Sequence, residues 1–513
     1  MIAGLQVNMS LLSSIRNRFL FGTLAFISVL LIIWQRPTPI NDVFSKLHHP
    51  SVAPPSENSA KSTAQSTAHA SEKLPQGTSM VTQLLLSIST VSQYFLDYPL
   101  PASEFGKMGE RLQILRDWIE TDQTLSDDMM DDEVAALRNS IDRTALSLFP
   151  FLRNPSRSSD AQGLSNLRQR IKPGSKGIVI SSGKGTFRYA CHLVSNLRNV
   201  LASTLPIEIV YAGDEDLPAA YRDFITGLGN DIHTVDILTV VDDKTLDLKN
   251  GGWAIKPFAT MASKYEQVMV LDADAVLLQK PEAIFEKHKG YEDTGALFFH
   301  DRLLWQGAFK ERHEWWEEQL AHHTPSKALS KSLVYNDGYA EECDSGMVVI
   351  DKSRLQILLG LLHVCWQNTK IVRDEWTYKR GYGDKESWWF GMELSGAEYT
   401  FESHYGAVLG HTQFMDNTTK VCGFTIAHAD ESNRLLWYNG SLLKNKAVNA
   451  TAFDIPTHWM VDGVWEKGAT KPDMSCMREN EVRDTTSDER DIVSRSVDRA
   501  RDIDRRIEEL GLV

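Results

Sequence analysis

The chain contains no CxxC pair, no run of basic residues and no complete phosphate-binding loop, and each absence removes a class of function. Its 5 cysteines, Cys191, Cys343, Cys365, Cys422 and Cys476, lack the spacing of a zinc site or a redox dithiol. An odd count leaves at least one thiol unpaired within the chain, and one or two disulfides of unreadable pairing stay open. A formal charge of −14 argues against a partner held through its phosphate backbone, so nucleic acid is not an expected ligand. Gly183-Lys-Gly185 follows a short apolar run but has neither the GxxxxGK[ST] spacing nor a full GxGxxG. A phosphate contact at Gly183 and a plain strand-to-helix turn explain it equally well.

Long apolar runs are scarce too, and only Phe19 to Trp34 is free of charge over a length that approaches a membrane span. An average span needs ~20 residues, and thin early secretory membranes take up the small shortfall. Arg16 and Arg18 precede the run, and no small-x-small cleavage site follows it. The expectation is a cytosolic tail at 1–18, an uncleaved transmembrane signal-anchor at 19–35 and a flexible stem at 36–78, rich in Pro, Ser, Ala, Thr and Lys. Beyond a luminal stem, Asn417-Thr-Thr, Asn439-Gly-Ser and Asn449-Ala-Thr read as glycosylation acceptors.

Between 79 and 155, apolar residues recur at helical spacing, among them Leu112, Leu115, Ile119, Leu137, Ile141 and Leu148, which predicts a helical subdomain. The acidic cluster of Asp127, Asp128, Asp131, Asp132 and Glu133 reads as a solvated helix start rather than a metal site. From 170 to 475, strand-like Gly177 to Ser181, Ile207 to Tyr211 and Ile232 to Leu238 alternate with helical stretches. That alternation predicts an α/β domain with a largely parallel sheet, binding ligands at the carboxyl ends of its strands. The charged segment 476–513 carries Val493, Val497, Ala500, Ile503, Ile507 and Leu510 at spacings of three and four. It forms one amphipathic helix, with docking and self-association both open.

The apolar run Val268 to Leu271 reads as a central strand that delivers Asp272 and Asp274 at its carboxyl end. The same spacing recurs at Asp214/Asp216 and Asp502/Asp504, so the strand carries the argument, not the triplet. Two carboxylates at a buried strand end repel unless a cation or hydrogen bonds offset them. Mn²⁺ or Mg²⁺ suits such hard oxygen ligands, and the bland alternative is a capped strand end.

Gly252-Trp-Ala-Ile-Lys-Pro-Phe258 and Val270-Leu-Asp-Ala-Asp-Ala-Val276 together resemble the fungal α-1,3-mannosyltransferase family. Leu297-Phe-Phe-His-Asp-Arg302, Glu342-Cys-Asp-Ser-Gly-Met347, Gly383-Asp-Lys-Glu-Ser-Trp-Trp-Phe-Gly391, His428-Ala-Asp-Glu-Ser432 and Trp437-Tyr-Asn-Gly440 extend the match in order. The resemblance implies a GT-A (Rossmann-like) nucleotide-sugar transferase domain and a single-pass type II Golgi membrane protein with a luminal catalytic domain. It also implies GDP-mannose as donor, a glycan on glycoproteins as acceptor and retention of configuration. Glycogenin-like enzymes share the order of parts, which makes Lys256 and Asp272 donor contacts and His428 a third metal ligand beside Asp272 and Asp274. On the residues alone, a surface lysine and a hydrogen-bonded core histidine are the competing readings of Lys256 and His428. Asp344, read in an Asp-Ser-Gly turn, is a candidate contact for donor hydroxyls, and strand-end structure explains it nearly as well.

Asp384 is the first candidate near the anomeric carbon, with Glu386 beside it. Here the chain reads Gly-Asp-Lys where glycogenin-like enzymes read Gly-Asp-Gln, which puts the role of Lys385 in doubt. Trp388, Trp389 and Phe390 suit either the holding of a carboxylate against a sugar face or the core. Two other readings compete: the same fold with a different nucleotide sugar, and a non-catalytic Golgi scaffold or glycan-binding protein. Self-association or assembly with other transferases is left open.

Overall fold

The structure is a computed structural model that describes residues 80–125, 130–153 and 163–512. The expected tail, anchor and stem, together with Asp127 and Asp128, lie outside the described residues. Among the described residues no helix is long and apolar enough to cross a membrane.

Helices α1 (Met80–Asp97), α2 (Phe105–Leu125) and α3 (Asp131–Leu148) follow the apolar periodicity, burying Leu112, Leu115, Ile119, Leu137 and Ile141. Asp131, Asp132 and Glu133 occupy the first turn of α3, where carboxylates meet the positive end of the helix. These helices have no separate core: their apolar faces merge with Trp388, Met392 and Leu394 further along the chain. Polar contacts across that junction include the His363 ring with the Phe105 carbonyl at 3.0 Å and Gln113 donating to the Leu394 carbonyl at 3.2 Å.

The chain then runs through β1 (Lys172–Ser181), α4 (Phe187–Ser195), β2 (Ile207–Tyr211), α5 (Ala219–Thr226) and β3 (Ile232–Asp236). It continues into α6 (Ile255–Ala262), β4 (Tyr265–Leu271), β5 (Ala275–Leu277), β6 (Ala296–His300) and β7 (Cys343–Asp351). β3 is shorter than its apolar pattern predicts, because the Asp236 carboxylate accepts from Leu238 N and Gly213 N and bends the next residues into a turn. Helix α6 carries Pro257 in its first turn, where a missing N–H costs nothing.

With β8 (Thr400–Phe401), the main sheet has the order β3-β2-β1-β4-β7-β6-β8. β4 is therefore central, and Val268, Met269, Val270 and Leu271 are fully buried, each contributing roughly 1.5–3 kcal/mol of apolar burial. The expected parallel sheet holds for β3, β2, β1 and β4. Beyond β4 the sheet is mixed, since β7 runs antiparallel to both β4 and β6.

A second, antiparallel sheet contains β9 (Ala407–Met415), β10 (Thr418–Ala429) and β11 (Leu435–Asn439). β11 pairs with β5, placing Asn439 opposite Ala275 and Trp437 opposite Leu277. Because only the 272–274 turn separates β5 from β4, this pairing joins the two sheets at the acidic triplet. A disulfide, Cys422–Cys476, staples β10 to the strand Ser475–Arg478, while Cys191, Cys343 and Cys365 are buried free thiols.

Helices α7 (Leu355–Gln367) and α8 (Lys385–Ser395) back the sheet, and α9 (Ser487–Glu509) closes the chain. α9 docks rather than standing free. Val493, Val497, Ala500, Ile503 and Ile507 are buried, whereas Leu510 caps the helix end and is exposed, and Asp504 binds Arg188 at 2.6 Å and His192 at 2.7 Å from α4. The third Asp-x-Asp copy thus has a structural occupation.

Candidate active site

β1 and β4 are parallel neighbours, so the loops that follow them open at the same edge of the sheet. Asp272 leaves β4 with its N–H donated to the Gly346 carbonyl at 2.9 Å, and Ala275 N closes the turn on the Asp272 carbonyl at 3.0 Å. The Asp274 carbonyl accepts from Ser441 N at 2.8 Å, so backbone hydrogen bonds hold both residues at the strand end where the sequence places them.

Lys256, in the first turn of α6 and only 4% exposed, is the hub. Its ammonium lies 2.9 Å from Asp272 Oδ1 and 3.1 Å from Asp384 Oδ2, and it donates to Ser345 Oγ at 2.8 Å and the Ser345 carbonyl at 3.0 Å. Burial pulls this ammonium down, but Asp272 and Asp384 together outweigh it and hold the group above the ordinary lysine range. For Asp384, burial pushes the carboxyl up, Lys256 opposes and Asp272 adds to the rise. Asp384 precedes α8 and is fixed by Trp388 Nε1 at 2.8 Å and Ser345 Oγ at 3.2 Å. Four separate segments thus converge on one buried charge.

Asp344 lies inside β7, fully buried, rather than in a turn. It accepts from Gly346 N at 3.0 Å and Asn439 Nδ2 at 3.1 Å, and its other oxygen meets His428 Nε2 at 3.0 Å. Burial alone would raise this carboxyl, yet the His428 contact holds it well below the usual carboxylate range. A side chain at Gly346 would stand 2.5 Å from Asn439 Nδ2 and 2.9 Å from the Trp437 ring, so glycine lets β11 cross here.

The expected three-ligand set is not gathered. His428 turns Nε2 to Asp344 and stacks on Trp437, with ring centroids 4.4 Å apart and planes at 20°. Among the described residues no three His, Cys, Asp or Glu side chains are grouped to hold a metal. The structure instead pairs Asp274 with Lys446, from the loop between β12 (Leu443–Asn445) and β13 (Asn449–Phe453).

Glu386 points elsewhere: it accepts from Glu342 N at 3.0 Å and Trp389 Nε1 at 2.7 Å, steadying the start of β7. Burial pushes its carboxyl up to about 7. Trp388 and Trp389 are core residues whose indole N–H groups anchor these two carboxylates. Gly183 abuts the Asp216 carboxylate so closely that a Cβ would lie 1.9 Å from Oδ1, and Lys184 N donates to the Asp216 carbonyl at 2.8 Å. Close packing therefore accounts for this glycine without a ligand.

Sequence reasoning placed Ser345 only within a motif and Asn439 only within a motif and a sequon, and it singled out neither Lys446 nor the partner of Lys385. Lys385 binds Asp301, from the His-Asp-Arg segment, and lies 3.7 Å from Glu341. Burial lowers its ammonium, and Asp301, Asp344 and Glu341 reverse that and raise it. Around this site Asp272, Asp274, Asp301, Glu341, Asp344 and Asp384 outnumber Lys256, Arg302, Lys385 and Lys446. An excess of carboxylates repels a naked phosphate and attracts a cation.

Residues 175–430 match the family model "Mannosyltransferase putative". Among relatives, the α-1,3-mannosyltransferase MNN1 of Saccharomyces cerevisiae is 25% identical over 58% of this chain and 44% of that protein. The α-1,3-mannosyltransferase MNT3 of the same yeast is 27% identical over 49% of this chain and 44% of that protein. The matched stretch thus spans less than half the length of these relatives. Of solved structures, the mannosyltransferase Ktr4p from S. cerevisiae aligns over 50% of this chain and 80% of its own at 10% identity and a TM-score of 0.31. The galactosyltransferase LgtC aligns over 44% and 73% at 16% identity and a TM-score of 0.27. TM-scores of that size bear on neither fold nor function. The family model runs from within β1 to the end of β10 and takes in Lys256, Asp272, Asp274, Asp344, Asp384 and His428, so residues 175–430 belong to that mannosyltransferase family and are similar to the fungal α-1,3-mannosyltransferases.

Proposed function

We propose that this chain is a GT-A type, metal-dependent, retaining glycosyltransferase that moves mannose from GDP-mannose to mannose-terminated glycans of glycoproteins, in α-1,3 linkage. The observation that carries the reading is the Lys256 ammonium shared between Asp272 and Asp384 at the carboxyl end of the central strand. An ammonium buried between two carboxylates is an unusual investment for a fold alone, and clusters of this kind concentrate at functional sites. The names of the relatives support the choice of mannose and of linkage.

Asp272 and Asp274 offer hard carboxylate oxygens at one turn, which suits Mn²⁺ or Mg²⁺ completed by phosphate oxygens and water. Such an ion supplies charge neutralisation on the diphosphate as it departs. The chain's own residues do the rest. Lys256 meets negative charge at the same edge, Asp384 lies where a carboxylate offsets positive charge at the anomeric carbon, and Asp344, buried with both oxygens engaged, braces the wall between β7 and β11. His428 and Asn439 are the positioning groups that hold Asp344.

The site belongs in the Golgi lumen on this reading, with the 19–35 run as the type II anchor. The Cys422–Cys476 bond supports an oxidising compartment. A panel of nucleotide sugars incubated with the purified protein, Mn²⁺ and an oligomannose acceptor tests the proposal. GDP-mannose alone is expected to be consumed, and turnover of another donor in its place, or of none, would overturn it.

A further inference from the structure

Large aromatic side chains are rarely left open to water without a reason, because their faces gain more from burial than most side chains. Trp253 is 47% exposed and Tyr382 is 60% exposed, and their ring centroids lie 5.0 Å apart. Neither is a loose surface residue. Trp253 sits in the turn that leads into α6, three residues before Lys256, and Tyr382 lies two residues before Asp384. The indole rests edge-on against Tyr378 with centroids 6.2 Å apart, and Tyr378 is in turn tied through its hydroxyl to Asn368 at 2.9 Å.

Gly383 completes the seat. Its φ is +67°, and a Cβ there would stand 2.8 to 3.0 Å from the Trp253 ring, so only glycine lets the Asp384 segment lie against the indole. On the other side, the Lys385 ammonium lies 5.8 Å from the Tyr382 ring centre and joins it to Asp301 and Glu341. The result is a braced aromatic surface with one polar rim, built from the same two segments that supply Lys256 and Asp384.

We propose that Trp253 and Tyr382 form the acceptor subsite, a platform on which the terminal pyranose of the acceptor glycan stacks through its C–H face. The inference rests on the transferase reading above and deepens it. The chemistry selects a sugar: a pyranose pairs one apolar face with an edge of hydroxyls, matching an aromatic surface beside the ammonium and carboxylate of Lys385 and Glu341. The diphosphate of a donor finds no partner on two uncharged rings. It is served instead by the Lys256 ammonium and by a divalent cation that Asp272 and Asp274 would hold. A nucleobase is the other flat ligand that stacks on such rings, and the test distinguishes it.

Trp253→Ala and Tyr382→Ala are compared with the wild type in acceptor KM, in GDP-mannose hydrolysis without acceptor, and in GDP affinity by calorimetry. The expected result is an acceptor KM raised about tenfold in each variant, with hydrolysis and GDP affinity within about twofold of wild type. Trp253→Phe keeps a ring and is expected to recover most of the loss. Unchanged acceptor KM in both alanine variants overturns the proposal, and so does a fall in GDP affinity, which would assign the rings to the nucleobase. Tryptophan fluorescence titrated with mannobiose gives a readout independent of turnover. A saturable change in the wild type that vanishes in Trp253→Phe supports the platform even if GDP-mannose is not the donor. A change that persists in that variant, or no change in the wild type, contradicts it.

Discussion

Lys256 is shared by two carboxylates, and its neighbours tell apart what each does. Asp272 is partly exposed at the turn, whereas Asp384 is buried and held by an indole N–H, so the pair has a wet and a dry member. Asp384→Asn keeps the shape and leaves Lys256 its salt bridge to Asp272. The expected outcome is a folded protein with unchanged GDP affinity and a kcat lowered by about 10²-fold or more, read from initial rates with saturating donor. Legibility at this scale follows the range of the interaction. Asp272 and Asp274 are marked by the apolar strand directly before them, and Lys256 and Asp384 by ordered motifs. Ser345 and Asn439 lie inside such motifs too, but their roles, like that of Lys446, are not readable there, because their partners stand 39 to 172 positions away in sequence and meet only in the fold.

At the scale of elements, two devices fix the site. The first is Lys352, just past β7, whose buried ammonium donates to the carbonyls of Thr260 at 3.1 Å and Ser263 at 2.6 Å at the end of α6. It closes the helix that carries Lys256 at the other end. Burial pulls its pKa from 10.5 to about 7, so between those values the unfolded chain binds more protons than the folded one and stability rises with pH. Against Lys352→Met, wild-type stability in urea is expected to gain about 2 kcal/mol between pH 7 and pH 9. A flat difference across that window would mean the lysine stays charged in the fold.

The second device is β11, which delivers Asn439 to Asp344. Its sequon is indistinguishable in sequence from the other two, but its amide is already donated inside the site. Asn417 and Asn449 are exposed. Protein made in a secretory pathway is therefore expected to carry glycans at Asn417 and Asn449 and none at Asn439, as read by peptide mass spectrometry. Occupancy at Asn439 would contradict the arrangement around Asp344. The helices of 80–148 and the strands up to β4 were legible from periodicity alone. The reversal of β7 was not, because an apolar strand reads the same whichever way its neighbour runs.

At the largest scale, among the described residues, the seven-stranded and eight-stranded sheets are joined through one tight turn, and the candidate site lies at that seam. α9 docks near the same seam, through Asn196, which donates to the Leu277 carbonyl of β5 at 3.1 Å and to Ser496 at 3.0 Å. The charge excess in the seam sets the central expectation: the nucleotide binds only together with a divalent cation. Calorimetric titration of GDP with and without Mn²⁺, on the wild type and on Asp272→Asn and Asp274→Asn, tests this most directly. The account predicts saturable binding to the wild type with Mn²⁺, none in its absence, and a loss of at least about tenfold in either variant. Equal GDP affinity with and without the metal, or undiminished binding in both variants, would contradict it.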